Sequence, residues 1–201
     1  MTISIDEIFF TKHKKAERTK GYYLTTICEN FSVKHPQTGE MIGPAAREFI
    51  VSRNSASVLP YCQKEKKVLM ARQFRMPVMY DRADTEQAWI YEIVAGVIED
   101  GHLPLDTAVR EALEEVGIIL DPDRLELVAN VYPSPGILTE QMFIYTCEVD
   151  ECLPEHPSGG LEAEHEAIIA QWVSYEDMAK IKADGDIRDS KTFIALNSIG
   201  I

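Results

Sequence analysis

A chain of 201 residues, 45% hydrophobic and 26% charged, carries enough apolar side chain to bury a full core. Its formal net charge of −13 argues against a nucleic-acid partner, because phosphate backbones are held by Lys and Arg clusters that this sequence lacks. No apolar run reaches the length of a membrane span, and the opening MTISIDEIFFTKHKK is unlike a signal peptide, so a cytoplasmic protein without a membrane partner is expected.

In chain order, short β-branched and aromatic runs bounded by turn residues predict strands over 22–28, 47–51, 56–61, 67–74, 90–97, 125–131, 142–149 and 167–173. His35-Pro36-Gln37-Thr38-Gly39-Glu40 reads as a turn between the first two strands. Residues 1–53 would form a small antiparallel β extension that cannot bury much surface alone. Residues 54–201 hold the remaining strands and three helices. The first helix, 104–116, opens on Pro104 after the poor cap Leu103 and stops at Gly117; the second, 175–183, follows the capping pair Ser174 and Asp177; the third, 190–198, follows Asp189. Cys28, Cys62, Cys147 and Cys152 are scattered and read as buried, reduced thiols.

The helix over 104–116 carries the chemistry. Taking Glu111 as zero, Glu115 falls near 40° and Glu114 near −60°, while Ala108, Val109, Ala112, Leu113 and Val116 span roughly 60° to 200° on the other side. One face packs, and the other presents three carboxylates within a turn, which repel one another unless a cation sits among them. Hard oxygen donors favour Mg²⁺, with Mn²⁺ as a substitute. Taken alone, such a face is more often a solvated acidic surface.

Gly96 followed by Arg110-Glu111-Ala112-x-Glu114-Glu115-x-Gly117-Ile118 resembles the Nudix box, a pyrophosphohydrolase signature of loop, helix and loop. The resemblance implies an α/β/α sandwich of mixed sheets. It also implies that Glu111, Glu114 and Glu115 ligate the divalent ions, joined by the carbonyl of Ala95. His102 stands where the family carries a glutamate that pairs with the box arginine; here Arg110 has Glu114 one turn on, with Glu99 or Asp100 as a further candidate partner.

Three more stretches are similar to the ADP-ribose and nucleotide-sugar pyrophosphatase branch of that family. They are Val68 with Leu69-Met70-Ala71-Arg72-Gln73-Phe74-Arg75, Trp89-Ile90-Tyr91-Glu92-Ile93-Val94-Ala95-Gly96, and Tyr132-Pro133-Ser134-Pro135-Gly136 with Thr139-Glu140. Ile137 departs from the branch, which usually has a second glycine there. Gly185-Asp186-Ile187-Arg188-Asp189-Ser190-Lys191-Thr192 is closer to members acting on GDP-mannose and related sugar nucleotides. By the same resemblance, Glu164 is the general base and Glu166 a further metal ligand, with Glu162 giving an alternative register. Arg53 and Arg75 are candidates for phosphate or ribose contacts, because guanidinium forks match phosphate oxygens. Tyr22, Tyr23 or Tyr132 would stack on a base, and Ser134, Gly136 and Glu140 complete the substrate-binding set.

The implied reaction is Mg²⁺-dependent hydrolysis of a small-molecule nucleoside diphosphate sugar, ADP-ribose or a relative such as GDP-mannose, to a nucleoside monophosphate and a sugar phosphate. Residues 1–53 would be exchanged between the subunits of a homodimer, as in the branch. Two alternatives stay open: a non-catalytic Nudix-fold sensor of a nucleotide sugar, and a Nudix hydrolase of another nucleoside diphosphate derivative.

Overall fold

The computed structural model describes residues 10–12, 17–20, 24–154 and 168–201. The chain divides into two compact units, Met1–Ser52 with Ser134–Glu140, and Arg53–Pro133 with Gln141–Ile201.

The first unit is an antiparallel sheet. Its central strand β3 (Thr25–Lys34) pairs along one edge with β1 (Phe10–Lys12) and β2 (Glu17–Lys20), and along the other with β4 (Met41–Val51). The turn expected at His35 to Glu40 joins β3 to β4, closed by His35 N–H to the Glu40 carbonyl at 2.8 Å, with Gly39 at a φ of 75°. The loop 134–140 belongs to this unit because its main chain extends the end of β4. Ile50 N–H donates to the Ile137 carbonyl (2.8 Å), and Thr139 N–H donates to the Ile50 carbonyl (3.2 Å).

The second unit is built on a seven-stranded mixed sheet of β5 (Ser55–Cys62), β6 (Lys67–Phe74), β7 (Trp89–Glu92), β8 (Val94–Val97), β9 (Leu125–Val131), β10 (Met142–Glu148) and β11 (Ile168–Ser174). The β5–β10 pair is parallel and the other pairs are antiparallel. Strand alternation divides the core. Ala56, Val58, Leu69, Val94, Tyr145 and Cys147 pack on one face against Ala108, Ala112 and Val116 of α2 (Pro104–Val116). Leu59, Val68, Met70, Ile93 and Ile144 pack on the other against Met178 of α3 (Tyr175–Ala183) and Ala195 and Leu196 of α4 (Ser190–Ser198). Since both faces are covered, the central strands read as nearly continuous apolar runs. This is the expected α/β/α sandwich.

The expected single strand over 90–97 is two strands. β5 and β6 pair with each other only at Tyr61↔Val68 and Cys62↔Lys67, and the segment 89–97 fills the gap. Its first half runs along β6 and its second half along β5. The crossover is at Ile93, whose N–H leaves the ladder and donates to Thr192 Oγ1 at 2.9 Å.

A short helix, α1 (Met76–Arg82), is also present where no helical periodicity predicts one. It buries no residue, so it has no apolar stripe to read; Pro77 starts it and Ala83, at a φ of 54°, ends it. The expected packing face of α2 needs one correction. Leu113 is exposed, because at roughly 100° from the centre of the Ala108–Ala112–Val116 stripe it falls beyond the sheet's cover.

Candidate metal centre

The α2 helix begins without a side-chain cap at Leu103, as its sequence suggests, and ends in a tight glycine cap. Gly117 adopts a φ of 70°, and Ile118 N–H reaches back to the Ala112 carbonyl at 3.1 Å. With its apolar stripe on β8 and β5, the helix presents its carboxylates to the strand entering it.

Two of the three glutamates touch that strand. The Glu115 Oε2 accepts the Ala95 N–H at 3.1 Å. The Glu111 carboxyl lies over Gly96 so closely that a Cβ there would sit 2.0 Å from Glu111 Cδ and Oε1. Gly96 has an ordinary backbone φ, so the glycine is required by this approach and not by a turn. Ala95 and Gly96 are held in place by pairing with Ser57 and Ala56 of β5.

Arg110 answers the question raised by His102. It donates through Nη1 to Glu114 Oε2 and through Nη2 to Glu111 Oε1, each at 2.5 Å. Burial opposes the charged guanidinium, but these two carboxylates outweigh it and push the Arg110 pKa up. His102 is exposed and faces Glu99, with Nδ1 3.8 Å from Oε2, while Glu99 takes no part in holding Arg110. The cation among the glutamates is therefore partly the chain's own: three carboxylates and one guanidinium leave two negative charges. The donor set of hard carboxylate oxygens, closing over a position that one methyl group would fill, fits a divalent ion of the Mg²⁺ or Mn²⁺ type.

The remaining predicted residues lie elsewhere in their elements. Arg75, at the start of α1, forks the buried Glu92 of β7, from Nε to Oε1 at 2.5 Å and from Nη2 to Oε2 at 3.0 Å. Arg53 is exposed just before β5. Tyr132 is half exposed, and its hydroxyl accepts Gln141 Nε2 at 2.6 Å. The Ser134 carbonyl accepts the Ile137 and Leu138 amides at 3.0 and 2.9 Å, which makes a tight turn with Gly136 at its exposed tip; Glu140 is half-buried. Glu162, Glu164 and Glu166, with Tyr22 and Tyr23, lie outside the described residues.

Sequence reasoning missed the buried charge group around Glu92. Besides Arg75, Glu92 receives Lys191 Nζ from α4, and that ammonium lies 3.0 Å from Asp189 Oδ1. Asp189 Oδ2 in turn caps α4 through Thr192 N–H at 3.0 Å. Burial would raise the Glu92 pKa, but the Arg75 hydrogen bonds and the Lys191 charge reverse that and hold it below the ordinary carboxylate value. The available signal was a glutamate inside an otherwise apolar strand, since a charge there requires partners.

The NUDIX domain model matches residues 51–195. The ADP-ribose pyrophosphatase of Haemophilus influenzae is 30% identical over 158 residues, covering 79% of this chain and 71% of that protein. The ADP-ribose pyrophosphatase of Escherichia coli K12 is 34% identical over 160 residues, 79% of this chain and 73% of its relative. The GDP-mannose pyrophosphatase of Pectobacterium atrosepticum is 29% identical over 150 residues, covering 75% and 74%. A solved ADP compounds hydrolase superposes with a TM-score of 0.67 over 94% of this chain and 91% of its own, at 16% identity, and supports the fold. With a family model spanning most of the chain and the box carboxylates gathered on Ala95 and Gly96, the protein belongs to the NUDIX domain family and is a hydrolase of it.

Proposed function

We propose that the protein hydrolyses the pyrophosphate bond of a nucleoside diphosphate sugar, ADP-ribose or a relative such as GDP-mannose, to a nucleoside monophosphate and a sugar phosphate, with Mg²⁺ as cofactor. The observation carrying this reading is the seating of Glu111 on Gly96 beside Glu115 on the Ala95 amide. The substrate class rests on the names of the relatives, which act on ADP-ribose and GDP-mannose.

Glu111, Glu114 and Glu115, with the Ala95 carbonyl and Glu166, would hold the ion. When bound, it supplies positive charge at the pyrophosphate oxygens and acidifies water. The chain's own residues do the rest. Arg110 fixes the directions of Glu111 and Glu114, and Gly96 leaves room for the Glu111 carboxylate. Glu164 takes the proton of the attacking water. Arg53, Arg75, Tyr132, Ser134, Gly136 and Glu140 grip the substrate, with Arg75 oriented by its fork onto Glu92. Two copies assemble as a homodimer that exchanges residues 1–53.

The test is a substrate panel of ADP-ribose, ADP-glucose, GDP-mannose, UDP-glucose and the nucleoside triphosphates, incubated with Mg²⁺ or with chelator and read as release of the nucleoside monophosphate by chromatography. Turnover of at least one sugar nucleotide, lost on chelation, is expected. Release from nucleoside triphosphates alone would move the protein to another substrate class, and tight binding without turnover would make it a sensor. Glu115→Gln should lower turnover by on the order of 10²-fold or more while leaving the fold unchanged.

A further inference from the structure

Away from the α2 glutamates, the described residues bring two buried thiols and a carboxylate together. Cys62, Cys152 and Glu65 place one ligand atom each within 4.8 Å of one another. Cys62 ends β5 and is fully buried; Cys152 lies beyond β10, the parallel neighbour of β5, and is also buried. Glu65 stands in the exposed turn between β5 and β6, and its Oε1 accepts the Cys152 N–H at 3.1 Å while Lys67 Nζ lies 3.3 Å from Oε2. The Cys62 Sγ lies 3.7 Å from the Asp150 carbonyl.

Two features argue that this is a site. The parallel β5–β10 pairing, which runs to Tyr61↔Glu148, carries the end of β5 and the stretch after β10 to one end of the sheet, and the Glu65 bond to the Cys152 N–H holds the β5–β6 turn against them. In tetrahedral zinc sites, Zn–S near 2.3 Å and Zn–O near 2.0–2.2 Å set ligand atoms about 3.5–3.8 Å apart, so a small contraction of three side chains closes the set. The location separates this cluster from the first site: Cys62 is six residues along β5 from Ala56, the partner of Gly96, a run of about 20 Å.

We propose that Cys62, Cys152 and Glu65 form a second metal site, for a thiophilic divalent cation of the Zn²⁺ kind, with its fourth corner open to water past the exposed Glu65. Two thiolates and one carboxylate select Zn²⁺ over Mg²⁺ because sulfur is a soft donor. Both thiol protons, those of Cys62 and Cys152, leave to solvent as the two Zn–S bonds form, so uptake is favoured by rising pH. The bound ion ties the β5–β6 turn to the segment after β10, which makes its role structural.

Cd²⁺ titrated into the reduced full-length protein in saturating Mg²⁺ tests this. Thiolate-to-Cd²⁺ charge transfer absorbs in the ultraviolet, whereas carboxylate ligation does not, so the band reads the cysteines alone. The expected result is a band that saturates at one equivalent and is displaced by Zn²⁺. It should be absent in Cys62→Ser and Cys152→Ser, need at least ~10-fold more Cd²⁺ in Glu65→Gln, and be unchanged in Cys147→Ser and Glu115→Gln. Should Cys62→Ser fail to fold, Cys152→Ser, outside the strands, carries the same test. Absence of the band in the unaltered protein overturns the proposal. So does a pair of thiols lost to the oxidant diamide and restored by dithiothreitol without any Cd²⁺ band, which would make the two cysteines a redox disulfide.

Discussion

Gly96 is the residue on which the carboxylate cluster turns. The atoms a Cβ would strike are the far end of a flexible glutamate, so Gly96→Ala costs the fold little and displaces Glu111 instead. Circular dichroism and thermal melts should match the parent, while turnover should fall by on the order of 10²-fold, the usual penalty for misplacing a reacting group by about an ångström. A parent-like rate in the alanine variant would remove Glu111 from the chemistry. Gly136 is a useful contrast: nothing lies within 4 Å of a Cβ built there and its φ is not positive. Gly136→Ala should therefore leave the melting temperature unchanged, and any loss of kcat/KM would report how closely substrate approaches that loop. At this scale the sequence was informative where a spacing encodes a helix face, as for Glu111, Glu114 and Glu115. It was silent where distant segments meet, as for Arg75 on Glu92 and Cys62 beside Cys152, because no local period records such contacts.

Among the elements, α2 and α4 are anchored by different physics. The α2 helix is held by an apolar stripe and a glycine cap, and its limits were legible from Pro104 and Gly117. The α4 helix also carries buried charge, since Lys191 and Asp189 join Glu92 of β7. The folded-state pKa of Glu92 lies below its unfolded value, so its contribution is fully present above the unfolded value and is lost as pH falls through the folded one. Replacing Glu92 with Gln should destabilise the protein by about 3–5 kcal/mol at neutral pH, because it leaves Arg75 and Lys191 short of a counter-charge. Urea melts should show that difference shrinking as pH drops into the acid range; a constant difference from neutral to acid pH would assign Glu92 a packing role only. The α1 helix marks the limit of sequence reading here: with no buried residue it leaves no periodic trace, only Pro77.

For the whole molecule, the sandwich was legible because both faces of its central strands are apolar, while the membership of residues 134–140 in the first unit was not, since it rests on hydrogen bonds of Ile50 and Ser52 with Ile137 and Thr139 that no sequence pattern records. Strand β4 exposes Met41, Ile42 and Val51, apolar side chains that a partner subunit would cover. Sedimentation should give the mass of two chains. Ile42→Asp should shift it toward one chain and lower kcat/KM in the same concentration range. A fully active monomer would remove the exchanged dimer from the proposed function.

The crossing at Ile93 ties the register of one short segment to the geometry of the metal centre. Residues 89–92 and 94–97 are aligned on two different neighbours, and Glu111 lies over the backbone at Gly96. A slip of one residue in β8 would bring Ala95 or Val97 beneath that carboxyl, whose flexible end would have to swing away. A misaligned β8 therefore disperses the ligand cluster before it disturbs the fold, so metal affinity reads the alignment of this strand more sensitively than a thermal melt does.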